Sequence, residues 1–334
     1  MISHSQFPYL MVYASSFAVS LILSFVFTRL SIALCRRLGV MDEPAPDKTH
    51  SESTPRLGGP AIWLAGVLTL MVCHDCDKAY LTLMMGGAFV MFIGMVDDIR
   101  RISAVVKLLC LALATLGMAT QGVVVSFFDA LWLNYLVTLL WVVGVVSALN
   151  AIDNMDGLAG GISFMAALMF FFIGIQTGQT DLAAISIVLA GSVGGFLVFN
   201  RPPARVFLGD SGSFVLGYIL AAIGVLGGWS THPVKASLVP ILILSVPLLD
   251  LAYVLLTRYF SRETKGLRDA ITYRGHDHLS HRLVEAGFGE GEAVAYIIGF
   301  STAVGVLAVA MRGSRPTEAI LLAGEAVVLY LLFV

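Results

Sequence analysis

Five aspartates lie at the ends of long apolar segments, where unpaired charge is most costly in a membrane protein. Asp97 and Asp98 end one segment, Asp153 and Asp156 follow another, and Asp210 opens a third. Carboxylates crowded at the edge of a bilayer repel one another and lose hydration, so a cation or a catalytic role must hold them there. This pattern predicts a divalent metal ion, Mg²⁺, that holds a phosphorylated substrate at the membrane surface.

The neighbouring acids Asp97 and Asp98 are followed by Lys107 two to three helical turns later. Two adjacent carboxylates ionise together without cost only when a cation is near. Taken alone, this pair leaves two interpretations open. One aspartate is a base or a metal ligand, or both acids cap the start of the next helix.

The segment from Asn150 to Gly157 carries the next polar groups. If this segment begins a helix, then Asn150, Asp153 and Asp156 recur at near-helical spacing and share one face. Such side chains suit a nucleotide edge or a metal ion. The alternative is a polar helix cap with a glycine-rich exit.

The segment from Asn200 to Ser213 combines two prolines, two arginines and Phe207 with a glycine-rich helix start. Gly209 and Gly212 allow the backbone to approach a ligand closely. A helix start also offers free N–H groups to a phosphate. A simple helix cap explains the serines and Asp210, but it leaves the prolines, arginines and aromatic ring without a purpose.

Three histidines and two arginines lie close together near the C-terminal third of the chain: Arg274, His276, His278, His281 and Arg282. These donors and cations suit the oxygens of a pyrophosphate. Zinc is the competing ligand, although no cysteine lies nearby. Asp250, inside an apolar segment with Arg258 eight residues on, is interpreted as a structural polar contact.

The composition predicts an all-α polytopic membrane protein with one domain over residues 1–334. Hydrophobic residues make up 58% of the 334 residues and charged residues only 13%, which excludes an ordinary soluble protein. A net charge of −2 without a basic tract predicts no nucleic-acid partner. A span needs roughly 20 apolar residues, and eleven spans are predicted, at 8–32, 57–73, 79–96, 104–121, 131–149, 160–176, 182–199, 212–229, 236–257, 293–311 and 317–333.

Lysine and arginine are concentrated in alternate loops, which predicts the orientation of the chain. The positive-inside rule places the arginine-rich loops in the cytoplasm, the N-terminus outside and the C-terminus inside. All five aspartates then fall on the cytoplasmic side. The loops expected to form the active site there are 33–56, 97–103, 150–159, 200–211 and 258–292.

These segments, in this order, resemble the polyprenyl-phosphate N-acetylhexosamine-1-phosphate transferase family over roughly residues 36–285. The matching elements are Asp97-Asp98, the Asn-x-x-Asp-x-x-Asp-Gly element at 150–157, and Phe207-Leu208-Gly209-Asp210-Ser211-Gly212-Ser213. Thr54-Pro55-Arg56-Leu57-Gly58-Gly59 resembles the early loop of the family, with Lys48 and His50 ahead of it. The resemblance implies a bundle of ten or eleven membrane helices with a cytoplasmic active site.

The resemblance also implies an activity and a set of residue roles. Members transfer a sugar-1-phosphate from a UDP-sugar to a polyprenyl phosphate and release UMP, with Mg²⁺, for which Mn²⁺ can substitute. By this likeness Asp210 binds the metal, Asp97 is the base, and Asp98 and Asp156 shape the metal site. The implied substrate contacts are Phe207 stacked on uracil, Asn150, Asp153 and Asn200 on the nucleotide, and His278, His281 and Arg268 on phosphates. Lys107 and Arg282 are also expected to bind substrate.

Two departures from the family pattern bear on the sugar. The His-x-His-His element is His278-Leu279-Ser280-His281 here, and the preceding segment reads Asp269-Ala270-Ile271-Thr272. The resemblance is therefore closest to the UDP-GlcNAc branch rather than the muramyl-pentapeptide branch. The expected partners are a UDP-N-acetylhexosamine, undecaprenyl or another polyprenyl phosphate, the bilayer of a bacterial inner membrane and, in a homodimer, a second copy of the chain.

Two other classes of protein compete with this interpretation. A transporter with an acidic site is the main alternative, but transporter sites usually lie near the middle of the bilayer on broken helices. An intramembrane aspartyl protease needs only two facing acids, and this chain presents five acids together with histidines.

Overall fold

The chain folds as a helical bundle in the computed structural model, which describes residues 7–43, 53–75, 78–230, 233–260 and 277–333. The described residues form thirteen α-helices: α1 Phe7–Leu38, α2 Gly59–Cys73, α3 Lys78–Arg100, α4 Ala104–Thr120, α5 Leu131–Ile152, α6 Leu158–Thr177, α7 Thr180–Asn200, α8 Gly209–Leu226, α9 Pro233–Ile243, α10 Ser245–Phe260, α11 Leu279–Glu285, α12 Glu290–Gly313 and α13 Pro316–Phe333. Two short strands, β1 Met41–Asp42 and β2 Thr54–Pro55, pair antiparallel.

Seven of the described helices are long and apolar enough to cross a membrane: α1, α3, α5, α6, α7, α8 and α12. The pair α9 and α10, bent by 80° at its break, makes an eighth span if it is counted as one. α2 and α4 are also apolar but shorter, with 15 and 17 residues. The predicted all-α polytopic class is confirmed, whereas the predicted count of eleven spans stays a prediction.

The bend between α9 and α10 has a local cause in the sequence. Pro247 lies in the first turn of α10, and α9 ends at Ile243, four residues earlier. Proline has no N–H to donate to the carbonyl at that position, and its ring collides with that carbonyl. The predicted span 236–257 is therefore two helices that meet at a sharp angle.

The centre of the bundle is built from α6, α7 and α8, while the outer helices expose apolar side chains. In α7, 83% of the most apolar 18-residue stretch is buried inside the bundle, whereas in α1 the buried share of the corresponding stretch is 22%. Large exposed side chains such as Leu30 on α1 and Leu109 on α4 are 59% and 64% accessible. Outward-facing leucines on helices of this length fit a bundle surrounded by lipid.

A glycine lets α3 and α8 approach each other at the end of the bundle that carries the aspartates. A Cβ atom added to Gly94 would lie 2.5 Å from the carbonyl oxygen of Asp210 and from the Cα and backbone nitrogen of Ser211. No real Cβ tolerates such contacts with backbone, so only glycine permits this crossing. It brings the last turn of α3 against the first turn of α8.

The segment that starts at Asn150 does not begin a helix, so the condition for Asn150, Asp153 and Asp156 to share one helical face is not met. Asn150 lies in the last turn of α5, which ends at Ile152, and α6 begins only at Leu158. Gly157 has a φ of 77°, a left-handed conformation that breaks helical continuity before α6. Asn150 and Asp153 therefore belong to the end of one helix and the loop after it, not to one helical face.

Candidate active site

The predicted site residues gather at one end of the bundle, because neighbouring helices run in opposite directions. The C-terminal ends of α3, α5 and α7 meet the N-terminal ends of α4, α6 and α8 there. Asp97 and Asp98 lie in the last turn of α3, and Asp210 is the second residue of α8. The acids thus lie at helix ends rather than at the middle of the bundle, which argues against the transporter interpretation.

Lys107 on α4 joins the two aspartates that come from different helices. Its Nζ forms an ion pair with Asp97 Oδ2 and donates a hydrogen bond of 2.8 Å to Asp210 Oδ2. The side chains of Lys107 and Asp210 are 24% and 19% exposed, so the cluster stays accessible to a ligand. The structure therefore brings together Asp97, Lys107 and Asp210, which are separated by up to 113 residues in sequence.

The second oxygen of each of these carboxylates also has a partner. Asn150 Nδ2 donates to Asp210 Oδ1 at 3.2 Å and to Ser213 Oγ at 2.9 Å. Asp97 Oδ1 accepts a 2.6 Å hydrogen bond from the backbone nitrogen of Ile102. These bonds fix the direction of both carboxylates, so the cluster is organised before any ligand binds.

Asp98 caps α8 from outside that helix. Its Oδ1 accepts from the backbone nitrogen of Asp210 at 2.9 Å, and its Oδ2 accepts from that of Ser211 at 3.1 Å. A helix start carries unsatisfied N–H groups and a partial positive charge, which suit a carboxylate. Arg56 was not predicted from the sequence as a site residue. Its Nε lies 3.8 Å from Asp98 Oδ1, and its Nη1 lies 3.2 Å from Asp42 Oδ1.

The loop between α5 and α6 is tied to the loop before α8. Asp156 Oδ2 accepts from the backbone nitrogen of Ala204 at 2.8 Å. Asn200 accepts from the backbone nitrogen of Gly157 at 3.1 Å and donates to the carbonyl oxygen of Val206 at 2.9 Å. Asn200 is only 3% exposed. This arrangement favours loop positioning by Asn200 over the direct nucleotide contact that the resemblance implied.

Asp153 carries the clearest electrostatic perturbation outside the spanning helices. Burial, followed by the nearby carboxylates of Asp210 and Asp98, raises its pKa well above the usual range. A cation among these acids would offset that repulsion. Because strongly shifted acids cluster at functional sites, Asp153 supports the location of the site.

Phe207 is half-buried, and its backbone is held by the segment before α2. Its N–H donates to the carbonyl oxygen of Pro55 at 2.8 Å, and its carbonyl accepts from the N–H of Gly58 at 3.1 Å. The early loop and the Phe207 loop therefore form one layer beside Asp210. Phe207, three residues before Asp210 in the sequence, is therefore held by its backbone near the start of α8.

The described part of the histidine segment begins at Asp277. His278 precedes the first turn of α11, and His281 and Arg282 lie within it. Ser280 Oγ donates to Asn154 Oδ1 at 2.8 Å, which joins this helix to the loop that carries Asp153. Arg268, Arg274, His276, Lys48 and His50 lie outside the described residues.

The cluster of Asp97 and Asp210 has the donor chemistry that Mg²⁺ prefers. Within the described ranges, no three histidine, cysteine or acidic side chains converge as a ready-made metal cage. Mg²⁺ usually binds through one or two carboxylates and completes its shell with substrate phosphates and water. Two carboxylates that already share the ammonium group of Lys107 fit that mode of binding.

Comparison with known proteins identifies the family of this chain. A multi-pass helical protein with a group of carboxylates at one end of the bundle is the class that the structure defines. Residues 80–228 match glycosyl transferase family 4. The chain is 30% identical over 297 residues, 85% of its length and 81% of the relative's, to the probable undecaprenyl-phosphate N-acetylglucosaminyl 1-phosphate transferase of Bacillus subtilis (strain 168). The chain belongs to this family of transferases.

Two further relatives carry similar names. The decaprenyl-phosphate N-acetylglucosaminephosphotransferase of Mycobacterium tuberculosis (strain ATCC 25618 / H37Rv) is 30% identical over 306 residues, 79% of this chain and 74% of that protein. The undecaprenyl-phosphate alpha-N-acetylglucosaminyl 1-phosphate transferase of Thermotoga maritima is 33% identical over 205 residues, 61% and 62% of the two chains. The predicted family is therefore confirmed.

Proposed function

We propose that this protein transfers N-acetylglucosamine-1-phosphate from a UDP-sugar to undecaprenyl phosphate and releases UMP. The main observation behind the proposal is that Lys107 forms ion pairs with both Asp97 and Asp210, which come from the ends of different helices. Charged groups converge there at the surface of an apolar bundle, where a charged sugar nucleotide and a lipid phosphate can both arrive. The names of the relatives in Bacillus subtilis and Thermotoga maritima support the sugar and the lipid.

The reaction is a phosphoryl transfer, which depends on positioning and neutralisation of charge. An oxygen of the lipid phosphate attacks the β-phosphorus of the UDP-sugar, and a new P–O bond forms. The bond from that phosphorus to the bridging oxygen breaks, and UMP leaves with this oxygen. Asp97 accepts the proton of the lipid phosphate, and Lys107 stands beside the charge that develops.

Asp210 is the proposed ligand of Mg²⁺ or Mn²⁺, with Asn150 orienting its carboxylate and Asp98 holding its backbone. When bound, the metal ion would neutralise phosphate charge. Asp156 and Asn200 hold the loop between α5 and α6 against the loop between α7 and α8. Phe207 stacks on the uracil ring with Asp153 at the edge of the base, and His278, His281 and Arg282 contact the phosphates. Arg268, which lies outside the described residues, is a further expected phosphate contact.

The proposed location is the inner membrane of a bacterium, with the site on the cytoplasmic face. The excess of arginine in the loops on the side of the site supports this orientation. The product would initiate assembly of a cell-surface polysaccharide such as O-antigen or another lipopolysaccharide component. A homodimer remains part of the proposal, with one site in each copy.

A direct assay tests the proposed function. Purified protein would be mixed with undecaprenyl phosphate and a panel of UDP-sugars, and UMP would be measured with and without a chelator. We expect UMP release with UDP-GlcNAc, its loss in chelator and its return with Mg²⁺. Absence of UMP release with every UDP-N-acetylhexosamine would contradict the proposal.

A further inference from the structure

Asp250 is a buried acid inside α10, and both of its oxygens bind the start of α11. The residue is 2% exposed. Its Oδ2 lies 2.7 Å from Nδ1 of His278, and its Oδ1 accepts a 2.8 Å hydrogen bond from the backbone nitrogen of Leu279. An acid at such a position is costly unless it is paired or functional. Asp250 is paired, and its partner is a predicted phosphate ligand.

Arg258 adds a second contact two helical turns further along the same helix. Its Nε and Nη2 donate to the two carboxylate oxygens of Asp277, each at 2.7 Å. These bonds lower the pKa of Asp277 below its usual value. A bidentate pair of this kind fixes direction as well as distance. Asp250 and Arg258, both on α10, therefore form hydrogen bonds with three consecutive residues, 277 to 279.

The other sides of the segment are also held. Ser280 binds Asn154 in the loop after α5, as described above, and the guanidinium group of Arg282 lies 5.0 Å from the centre of the Tyr253 ring. Tyr253 follows Asp250 by one turn of α10. The start of α11 is thus fixed between α10 and the loop that carries Asp153.

These contacts determine which nitrogen of His278 is presented to a ligand. With Asp250 ionised, its carboxylate can only accept hydrogen bonds, and Nδ1 is then the donor in this pair. Nε2 is then the nitrogen that remains for a ligand. It can donate to a phosphate oxygen when both ring nitrogens carry protons, and the Asp250 carboxylate balances the charge of that imidazolium.

We infer that Asp250 is a positioning residue that orients His278 toward a phosphate group of the UDP-sugar, with Arg258 fixing the adjacent backbone through Asp277. The inference rests on the proposed function, which assigns His278 a phosphate contact. The simpler alternative is that Asp250 only packs α11 against α10. The two differ in whether Asp250 acts on phosphate binding through His278.

A double-mutant cycle separates these alternatives. Binding of UDP and of uridine would be measured by calorimetry for the wild type, Asp250→Asn, His278→Gln and the double variant. Asparagine keeps an oxygen for the Leu279 N–H but loses the charge. We expect each single change to weaken UDP binding by about tenfold or more and to leave uridine binding unchanged. The double variant should match His278→Gln alone.

The controls distinguish failure of this inference from failure of the proposed function. Asp129→Asn, an exposed acid before α5, should bind both ligands as the wild type does. Losses for Asp250→Asn and His278→Gln that multiply would overturn the inference. So would equal losses for UDP and uridine with a lowered melting temperature. A wild-type protein that binds no UDP would instead overturn the proposed function, and the inference with it.

Discussion

Adjacent aspartates of α3 have different partners. Both carboxylate oxygens of Asp98 form hydrogen bonds within the protein, because each accepts from a backbone N–H at the start of α8. Asp97 faces the ammonium group of Lys107, which it shares with Asp210. The pair therefore combines one carboxylate that positions a helix with one that faces the accessible cluster. This division fits Asp97 better than Asp98 as the proposed base.

Replacement of Asp210 tests the proposed metal ligand. We expect Asp210→Asn to remove nearly all activity, because a neutral amide is a weak ligand for a hard cation. The protein should still insert, since Asn150 and Lys107 can keep a partner at this position. Activity and membrane-inserted yield would be measured together, with Asp181→Asn at the exposed start of α7 as the matched control. Full wild-type activity in the presence of chelator would contradict the metal hypothesis.

Replacement of Phe207 tests uridine recognition. A stacked aromatic ring is worth about 1–3 kcal/mol per base, so Phe207→Ala should weaken UDP-sugar binding by about ten- to a hundredfold. Affinity for polyprenyl phosphate should stay nearly unchanged. Both affinities and the melting temperature would be measured. Equal loss for both substrates in a destabilised protein would show that Phe207 only packs between the Pro55–Gly58 segment and α8.

The residue types of the site could be predicted from sequence, but their partners could not. Asp97, Asp98 and Asp210 are recognisable because acids at the ends of apolar spans are costly. The contact of Asp250 with His278 joins residues that are 28 positions apart, one within α10 and the other just before α11. The same holds for Asp98, which caps α8 rather than the adjacent α4. Such contacts depend on how helices cross, which local patterns do not specify.

Helix ends, rather than loops, supply most of the groups in the site. α3 contributes two side chains from a terminal turn, α4, α5 and α8 each contribute one, and the crossing of α3 and α8 sets their spacing. Rigid elements hold such groups more closely than loops do. The segment 150–157 shows the limit of pattern reasoning here, because residues at near-helical spacing lie at the end of α5 and in the loop before α6 rather than on one helical face.

The α3–α8 crossing can be tested at Gly94. A Cβ on Gly94→Ala would meet backbone atoms of Asp210 and Ser211 at 2.5 Å, so the helices must move apart. We expect a loss of about 1–3 kcal/mol in stability, as for other overpacked sites, together with reduced activity. Gly117→Ala in α4, where a Cβ meets nothing within 4 Å, is the control and should be neutral or slightly stabilising. Identical behaviour of the two variants would contradict the close crossing.

At the scale of the whole molecule, the site occupies one end of an apolar bundle. The central helices α6, α7 and α8 are largely buried, and the outer helices expose leucines. The all-α polytopic class followed directly from composition, because few other folds accept 58% hydrophobic residues. The number of spans did not, since α2 and α4 are short and the segment 236–257 is bent.

The orientation of the bundle has its own test. The distribution of lysine and arginine predicts that a position after Arg268 is cytoplasmic and a position after Arg312 is outside. Reporter enzymes that are active on only one side of the membrane would be fused at each position. We expect opposite signals from the two fusions. The same signal from both would mean that the predicted topology is wrong and that the site is not assigned to the cytoplasmic face.

The fate of the β-phosphate of the sugar nucleotide tests the central claim most directly. Purified protein would receive UDP-GlcNAc labelled at that phosphate, together with undecaprenyl phosphate and Mg²⁺, and the lipid and aqueous products would be separated. Transfer of the sugar with its phosphate predicts label in the lipid and unlabelled UMP in water. Label that remains in water as UDP, with sugar alone on the lipid, would contradict the account.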